Sequence, residues 1–133
     1  MTGADKVRYR SLAAARPGLF VTPPGGIRIL LDPRDIAAAE AAQSARLAAA
    51  GHDPAGACVG VTHDDAYLTM LRDAVEFPGG KLGTYNRIVP DSGDPAGVAI
   101  LARHDGEFAL IRHFRHPLRD WSIEIPRGAI DPG

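Results

Sequence analysis

Residues 121–133 read WSIEIPRGAIDPG, a short apolar strand that runs into a Pro-Arg-Gly turn. Because side chains alternate between the two faces of a strand, Glu124 lies on the face opposite Ile123 and Ile125. Two interpretations of Glu124 are open at this point. Its carboxylate is exposed to solvent, or it faces a cleft and accepts a hydrogen bond from an arginine or from a metal-bound water. The turn after the strand marks the entrance to a further element.

A hairpin is predicted before this strand. In residues 97–115, GVAILARHDGEFALIRHFR, two apolar runs flank the pair Asp105-Gly106. An Asp-Gly pair between apolar runs is the strongest short-range signal for a β-hairpin. We therefore predict two antiparallel strands here, followed by one more short strand that begins at Trp121.

The hairpin ends in a cationic cluster, RHFRHPLR. A period of two places Arg112 and Phe114 on one face of the strand and His113 and Arg115 on the other. Forked guanidinium groups match phosphate oxygens, so Arg112 and Arg115 are candidate ligands for a phosphate or pyrophosphate. A solvated strand end is the alternative interpretation of the same residues.

Upstream, β-rich runs alternate with turns. The runs ACVGVTHD and AYLTMLRDAVEF, at residues 57–64 and 66–77, are followed by the turn PGGK and the run GTYNRIVP. These runs predict a meander of two or three antiparallel strands. Asp64 and Asp65 stand between two of the strands, where they indicate a polar turn rather than a metal-binding one.

An alanine-rich helix is predicted in the N-terminal part of the chain. Asp32 can cap its first turn, Pro33 suits the first helical position, and Gly51 suits the position just after its end. Its only large apolar residues are Ile36 and Leu47, so the helix is either a peripheral element or part of a partner interface. The second half of the chain has no predicted helix to cover a sheet face. That cover is therefore missing, or the alanine-rich helix supplies it.

These elements divide the chain into a helix-bearing arm, residues 1–55, and a β-rich body, residues 56–133. The arm also has room for a short helix at residues 9–16 and a short strand at residues 27–31. The whole chain has 133 residues and a net charge of −1, enough for one modest core and without the basic excess that attracts nucleic acid or anionic membranes.

Composition also bears on location. The single cysteine, Cys58, cannot form an internal disulfide and is compatible with a reducing compartment. No apolar run approaches the roughly 18 residues that a membrane-spanning helix needs, and the N-terminus MTGADKVRYR lacks the apolar core of a signal peptide. The sequence therefore predicts a cytoplasmic protein with no membrane partner.

The segments LIRHFR and WSIEIPRG, at residues 110–115 and 121–128, resemble the approach to the signature of Nudix hydrolases. The similarity is to the branch of ADP-ribose pyrophosphatases, and its specific part covers residues 97–133 within a broader match over residues 56–133. In that family a strand ending in apolar-x-R/K-Q-x-R is followed by Trp-x-x-Glu-apolar-Pro-x-Gly, whose glycine opens the Nudix box. The box begins with glycine, five residues and glutamate, and the stretch from Gly128 to Gly133 supplies the glycine and the five residues.

The resemblance implies an α+β fold, an α/β/α sandwich around a mixed sheet. It also implies hydrolysis of a nucleoside diphosphate linked to another moiety, such as ADP-ribose or a nucleotide sugar, with Mg²⁺ or Mn²⁺ as cofactor. By the match, Gly128 opens the box, and the backbone carbonyl of Arg127 contributes a metal ligand. Glu124 corresponds to a carboxylate near the metals, and Arg115 to the arginine that grips the diphosphate. Arg112, from the cationic cluster, is the second candidate for binding substrate.

The family's metal-binding glutamates lie in an R-E-x-x-E-E helix, and these 133 residues contain no such sequence. We therefore expect the domain to be truncated before the Nudix helix and the chain to be inactive by itself. His113 stands where the family often has glutamine, and Arg127 where it often has alanine, so the substrate stays open. The resemblance also makes a homodimer plausible. Two alternatives remain: a non-catalytic Nudix-like nucleotide-binding module, and a small β domain that binds nucleic acid through the cationic cluster.

Overall fold

The structure is a computed structural model that describes residues 4–90 and 97–129. The fold is mixed α+β, with two α-helices and several antiparallel strands among these residues. The chain divides into two compact units, Met1–Asp91 and Ser92–Gly133. This boundary lies 36 residues beyond the predicted one at residue 55, because the N-terminal helices pack on the first strands instead of forming a separate arm.

Both helices of the first unit begin at aspartates that cap them. Helix α1, Lys6–Ala15, starts after Asp5, whose carboxylate accepts the N–H of Arg8 at 2.9 Å. Helix α2, Pro33–Ala49, starts after Asp32, whose carboxylate accepts the N–H of Arg34 at 2.8 Å. The predicted cap, the proline at the first helical position and the helix itself are thus confirmed. Short 3₁₀ turns follow the two helices, at Pro17–Phe20 and Pro54–Ala57.

The C-terminal end of α2 also has the predicted geometry. Gly51 has φ +76°, in the left-handed region that favours glycine. Its N–H donates to the carbonyl of Ala48, and the N–H of His52 donates to that of Leu47 at 2.9 Å. This pair of bonds is a Schellman motif, which satisfies carbonyls that the helix leaves without intrahelical donors.

The sheet of the first unit is built around one central strand. Its four strands are β1 Arg28–Leu30, β2 Gly60–Asp64, β3 Leu68–Glu76 and β4 Leu82–Pro90. Strand β4 pairs with β3 along its whole length, while β2 and β1 pair with successive halves of the other edge of β3. All pairings are antiparallel, so the predicted meander is confirmed, with β1 as an added strand from the N-terminal segment.

The core of the first unit contains residues from both helices and from the sheet. Tyr9 of α1 and Ile36 and Ala39 of α2 are buried together with Leu71 of β3. Ala39 is 0% exposed, because its small side chain lets the helix come close to its neighbours. Helix α2 therefore belongs to the core and covers part of the sheet, so the interpretation as a peripheral element understated its role.

Strand β2 begins at a glycine that α1 approaches closely. Gly60 has φ +149°, and a Cβ there would lie 3.0 Å from the backbone carbon and oxygen of Asp5. That backbone cannot move freely, because the N–H of Asp5 donates to the carbonyl of Val61 at 2.8 Å.

Replacing Gly60 by alanine is expected to lower the free energy of unfolding by roughly 3 kcal/mol, from backbone strain and overpacking together. The control is Gly18→Ala, because a Cβ at Gly18 would meet no atom within 4 Å. It should change stability by less than about 0.5 kcal/mol. Urea unfolding followed by circular dichroism measures both, and equal stabilities of the two variants would contradict the expectation.

In its described residues, 97–129, the second unit consists of three two-stranded antiparallel ribbons. Its strands are β5 Gly97–Ala99, β6 Arg103–His104, β7 Glu107–Phe108, β8 Ile111–Arg115, β9 Asp120–Glu124 and β10 Arg127–Ala129. The pairs are β5 with β10, β6 with β7, and β8 with β9. Asp105 and Gly106 form the turn of the β6–β7 hairpin with φ values of +48° and +86°. The predicted hairpin at this pair and the predicted strand at Trp121 are confirmed.

The two units differ in how they bury apolar side chains. Within residues 97–128, no side chain is buried. The exposed large apolar residues of this stretch are Val98, Ile100, Leu101, Phe108, Leu110, Ile111, Phe114, Leu118, Trp121 and Ile123. No helix is found in the described part of this unit, whereas two helices pack on the sheet of the first. In the parts of the chain that the structure describes, no helix is long and apolar enough to cross a bilayer.

Candidate functional site

The β8–β9 ribbon sets the positions of the cationic residues. In its register His113 lies opposite Ser122, Phe114 opposite Trp121, and Arg115 opposite Asp120. Since paired residues of antiparallel strands point to the same face, Arg115 shares a face with the even-numbered residues of β9. That face includes Glu124, which the alternation in the sequence had placed only relative to Ile123 and Ile125.

Glu124 contacts two arginines: it accepts hydrogen bonds from Arg115 and forms an ion pair with Arg127. The Nε of Arg115 donates to Oε1 of Glu124 at 2.7 Å, and its Nη2 donates to Oε2. The Nε of Arg127 lies 3.2 Å from the same Oε2. The Glu124 side chain is only 14% exposed. Of the two interpretations that the sequence left open, the one in which Glu124 accepts from an arginine agrees with this geometry. We call Glu124, Arg115 and Arg127 the Glu124 cluster.

Arg115 reaches Glu124 along the ribbon instead of straight across it. Its register partner is Asp120, whereas Glu124 lies opposite Ile111. The guanidinium group therefore extends past the position of Ser122, whose small side chain leaves room for it. Asp120 itself accepts the N–H of Trp121 at 2.7 Å. The bidentate pair thus ties the turn end of the ribbon, where Arg115 lies, to its open end, from which the chain leads into β10.

The charges of the cluster shift its ionisation. The hydrogen bonds from Arg115 lower the pKa of Glu124 below its usual range, and partial burial opposes this only in part. The charges of Arg115, Arg127 and His113 act in the same direction as the hydrogen bonds. The same contact raises the pKa of Arg115. Glu124 is therefore a carboxylate at neutral pH, and it is not a proton donor there.

Replacing Arg115 by glutamine is expected to raise the pKa of Glu124 toward its ordinary value, because the main cause of the lowering is removed. In the unaltered chain the folded state favours the carboxylate. The ion pair therefore stabilises the fold above the ordinary glutamate pKa of about 4.3 and loses this effect as the pH falls. Carboxyl-carbon NMR titration of Glu124 measures the shift in each variant. Identical titration curves with and without Arg115 would contradict the assignment.

Arg127 and Gly128 lie on β10, so the predicted Pro-Arg-Gly turn is not formed: only Ile125 and Pro126 separate β9 from β10. The N–H of Ile100 donates to the carbonyl of Pro126 at 2.9 Å, so the next pair in the ladder, Arg127 with Ala99, is a non-hydrogen-bonded pair. The backbone carbonyl of Arg127 is consequently directed away from β5. Gly128 lies opposite Val98. Gly133, the last residue of the glycine pattern, lies outside the described residues.

The opposite face of the β8–β9 ribbon carries stacked aromatic and cationic side chains. The Arg112 guanidinium lies 4.6 Å from the ring centre of Trp121. Trp121 packs edge-on against Phe114 at 5.6 Å, and Arg119 lies 5.4 Å from the Phe114 ring. Arg112 is therefore not brought together with Arg115, although both were predicted to bind substrate. Its guanidinium is engaged with an indole ring instead.

Sequence reasoning missed two features of this unit. The side-chain contact between Arg127 and Glu124 was not predicted, although their spacing of three residues across a turn could have indicated it. The stack on Trp121 was also missed, because it depends on the register between β8 and β9 and not on either strand alone. Once Phe114 is placed opposite Trp121, the alternation of Arg112 with Phe114 accounts for the stack.

Histidine, aspartate and glutamate residues and one cysteine are spread over residues 4–90 and 97–129. No group of three histidine, cysteine, aspartate or glutamate residues that could hold a metal ion occurs among them. The Asp64-Asp65 pair forms the predicted polar turn: Asp65 accepts the N–H groups of Tyr67 and Leu68 at 2.8 and 3.0 Å. The contact with His63 and these N–H groups lower the pKa of Asp65 to about 2.

Comparison with known proteins leaves the site to be interpreted from its own residues. No protein-family model matches the chain, and a search of curated proteins finds no match. The chemistry of the site therefore follows from the Glu124 cluster, which places two guanidinium groups against one carboxylate. Two positive charges against one negative charge favour an anionic ligand with several oxygens.

Proposed function

We propose that this chain carries the diphosphate-binding part of a Nudix-type hydrolase of the ADP-ribose pyrophosphatase-like branch. Its substrate would be a nucleoside diphosphate linked to another moiety, and its fold would be completed as an α/β/α sandwich. The observation that carries the proposal is the Glu124 cluster. Its carboxylate, its bidentate arginine and the following Pro-Arg-Gly strand are the residues through which the sequence resembles that family.

The cluster is suited to hold a diphosphate because its cations are fixed before the ligand arrives. Glu124 accepts two hydrogen bonds from Arg115 and forms an ion pair with Nε of Arg127 at 3.2 Å. A guanidinium group held in this way needs little ordering when it binds, which favours affinity. Its role in a hydrolase would be to neutralise the phosphate oxygens and to orient the diphosphate.

The residues present do not fit the Mg²⁺ or Mn²⁺ that the family implies. Mg²⁺ requires near-octahedral oxygen coordination, and the cluster offers one carbonyl, that of Arg127, and one carboxylate. Both oxygens of that carboxylate already accept from guanidinium groups. The chain's own residues therefore bind and orient the diphosphate, and no chemical step is assigned to a metal here.

Because the carboxylate of Glu124 is occupied by arginines, a second candidate function is also favoured. It is a non-catalytic Nudix-like module that binds a nucleoside diphosphate. Both candidates require the same anion site, and they differ in whether hydrolysis accompanies binding. If the chain is a binding module, it should bind the nucleoside diphosphate without a metal ion. It should also fail to hydrolyse it, even when metal-binding carboxylates are added to the chain.

Isothermal titration calorimetry with ADP-ribose and with adenosine tests the anion site. In buffer with EDTA and low salt, the chain is expected to bind ADP-ribose at least about tenfold more tightly than adenosine, since charge-assisted hydrogen bonds contribute about 1.5–3 kcal/mol each. The affinity for ADP-ribose should fall as salt is added, and that for adenosine should not. Equal affinity for the two compounds would overturn the proposal.

A further inference from the structure

We propose that the side chain of Arg127 is the principal diphosphate-binding group of this site and its specificity-determining residue. The inference rests on the proposed function. It assigns the contact with the diphosphate to the side chain of Arg127, which the family resemblance does not. In the resemblance, Arg127 contributes only its backbone carbonyl, and Arg115 grips the diphosphate.

The first reason is that the Nε–Nη2 side of the Arg115 guanidinium is already engaged. Its Nε and Nη2 donate to the two oxygens of Glu124, so the bidentate edge of its guanidinium faces a carboxylate. A diphosphate could take that edge only by displacing Glu124. Loss of such a pair would leave a partly buried carboxylate without its main partner, which is unfavourable.

The second reason is that Arg127 is held at one nitrogen only. Its Nε lies 3.2 Å from Oε2 of Glu124, and its side chain is 58% exposed, against 30% for Arg115. Among residues 4–90 and 97–129, no acceptor engages its two Nη groups. These groups form the outer edge of the guanidinium, which can donate two parallel hydrogen bonds to phosphate oxygens.

The third reason is the position of the anchor. Glu124, the last residue of β9, precedes Arg127, the first residue of β10, by three positions, and the ion pair between them restricts the Arg127 side chain. Fixing an arginine side chain costs up to about 2 kcal/mol in conformational entropy. Because Glu124 already restricts Arg127, part of this cost is incurred before the ligand binds. Lysine cannot donate to Glu124 and to a phosphate through two separate edges of one planar group. The site therefore selects arginine, and with it a ligand that offers two adjacent phosphate oxygens.

The test uses the full 133-residue chain and three variants: Arg127→Ala, Arg127→Lys and Arg103→Ala. Arg103 is an exposed arginine of β6, outside the Glu124 cluster, so its loss removes an equal charge from the same unit. Calorimetry with ADP-ribose in EDTA gives the affinities, and circular dichroism checks that each variant is folded.

Arg127→Ala is expected to bind ADP-ribose at least about tenfold more weakly, and Arg127→Lys nearly as weakly, because charged hydrogen bonds contribute about 1.5–3 kcal/mol each. Arg103→Ala should stay within about twofold, because it changes only the long-range field, which salt screens. If the unaltered chain binds ADP-ribose and folded Arg127→Ala binds it equally well, the inference is overturned and the anion site stands. If the unaltered chain binds no more ADP-ribose than adenosine, both are overturned. Full affinity in Arg127→Lys would show that charge alone matters and would overturn the specificity role.

Discussion

Replacing Asp73 by alanine is expected to lower the free energy of unfolding of the first unit by about 3–5 kcal/mol, because one partner of a buried ion pair is removed while the other remains. Asp73 is 2% exposed at the centre of β3. Its carboxylate accepts the hydroxyl of Tyr9 at 2.6 Å and the guanidinium of Arg87 through two nitrogens. Alanine would leave both donors without this acceptor.

The loss of stability is expected to exceed that of a single ion pair, because Arg87 contacts several elements. Its Nη1 donates to the carbonyl of Leu19 at 2.6 Å, and its guanidinium lies 4.9 Å from the ring centre of Phe20. Phe20 in turn packs edge-on against Tyr9 at 5.5 Å. Burial, and then the hydrogen bond to Asp73, raise the pKa of Tyr9, so its hydroxyl remains a donor at neutral pH. The network thus holds α1 and the first 3₁₀ turn to the sheet.

Urea unfolding followed at 222 nm measures the change in the first unit, since both described α-helices belong to it. The matched control is Glu76→Ala on the same strand. Glu76 forms an exposed ion pair with Arg28, and exposed pairs contribute little to stability. An equal loss of stability in the two variants would show that the Asp73 network does not hold the unit together.

Features that depend on nearby residues could be predicted from the sequence. The cap at Asp32, the glycine at position 51 and the turn at Asp105-Gly106 each follow from the conformational preferences of one or two residues. The faces of β8 followed from the period of two. These predictions needed no knowledge of what lies across the sheet, and the structure agrees with each of them.

Features that join distant segments could not be predicted in the same way. The hydrogen bond between Tyr9 and Asp73 spans 64 residues, and in the sequence Asp73 is one polar residue inside an apolar run. Strand β1 lies beside β3, a pairing that the short run at residues 27–31 does not specify. Because these contacts join the N-terminal segment to the sheet, the boundary between the units lies at residue 91 and not at residue 55.

The candidate site illustrates both cases. Alternation placed Arg115 and Glu124 each on a face of its own strand. The register puts the two on one face, and their contact depends on how far an arginine reaches along the ribbon past Ser122. The sequence therefore left the partner of Glu124 undecided. It grouped Arg112 with Arg115 as phosphate ligands, whereas the structure pairs Arg112 with Trp121 on the other face. The residue types indicated phosphate binding by arginines. The register between β8 and β9 determines which of these arginines lie close enough to act on the same ligand.

The largest functional effect is expected from supplying metal-binding carboxylates to this chain. With ADP-ribose and Mg²⁺, the 133 residues alone should show no hydrolysis above background, because they contain no R-E-x-x-E-E sequence. A variant extended after Gly133 by a segment with the pattern E-x7-R-E-x-x-E-E should hydrolyse ADP-ribose at least about a thousandfold faster. Metal-ion catalysis contributes several kcal/mol, and about 4 kcal/mol corresponds to that factor.

The control is the same extension with its glutamates changed to glutamine, which keeps length and hydrophobic pattern but removes the carboxylates. Chromatographic detection of the two phosphate monoester products measures hydrolysis, and circular dichroism reports whether each extension adds helix. Turnover at enzyme-like rates by the 133 residues alone would contradict the expectation. A folded extension that binds Mg²⁺ and ADP-ribose without hydrolysis would instead support the binding module, because the anion site would then be intact and the catalytic role absent.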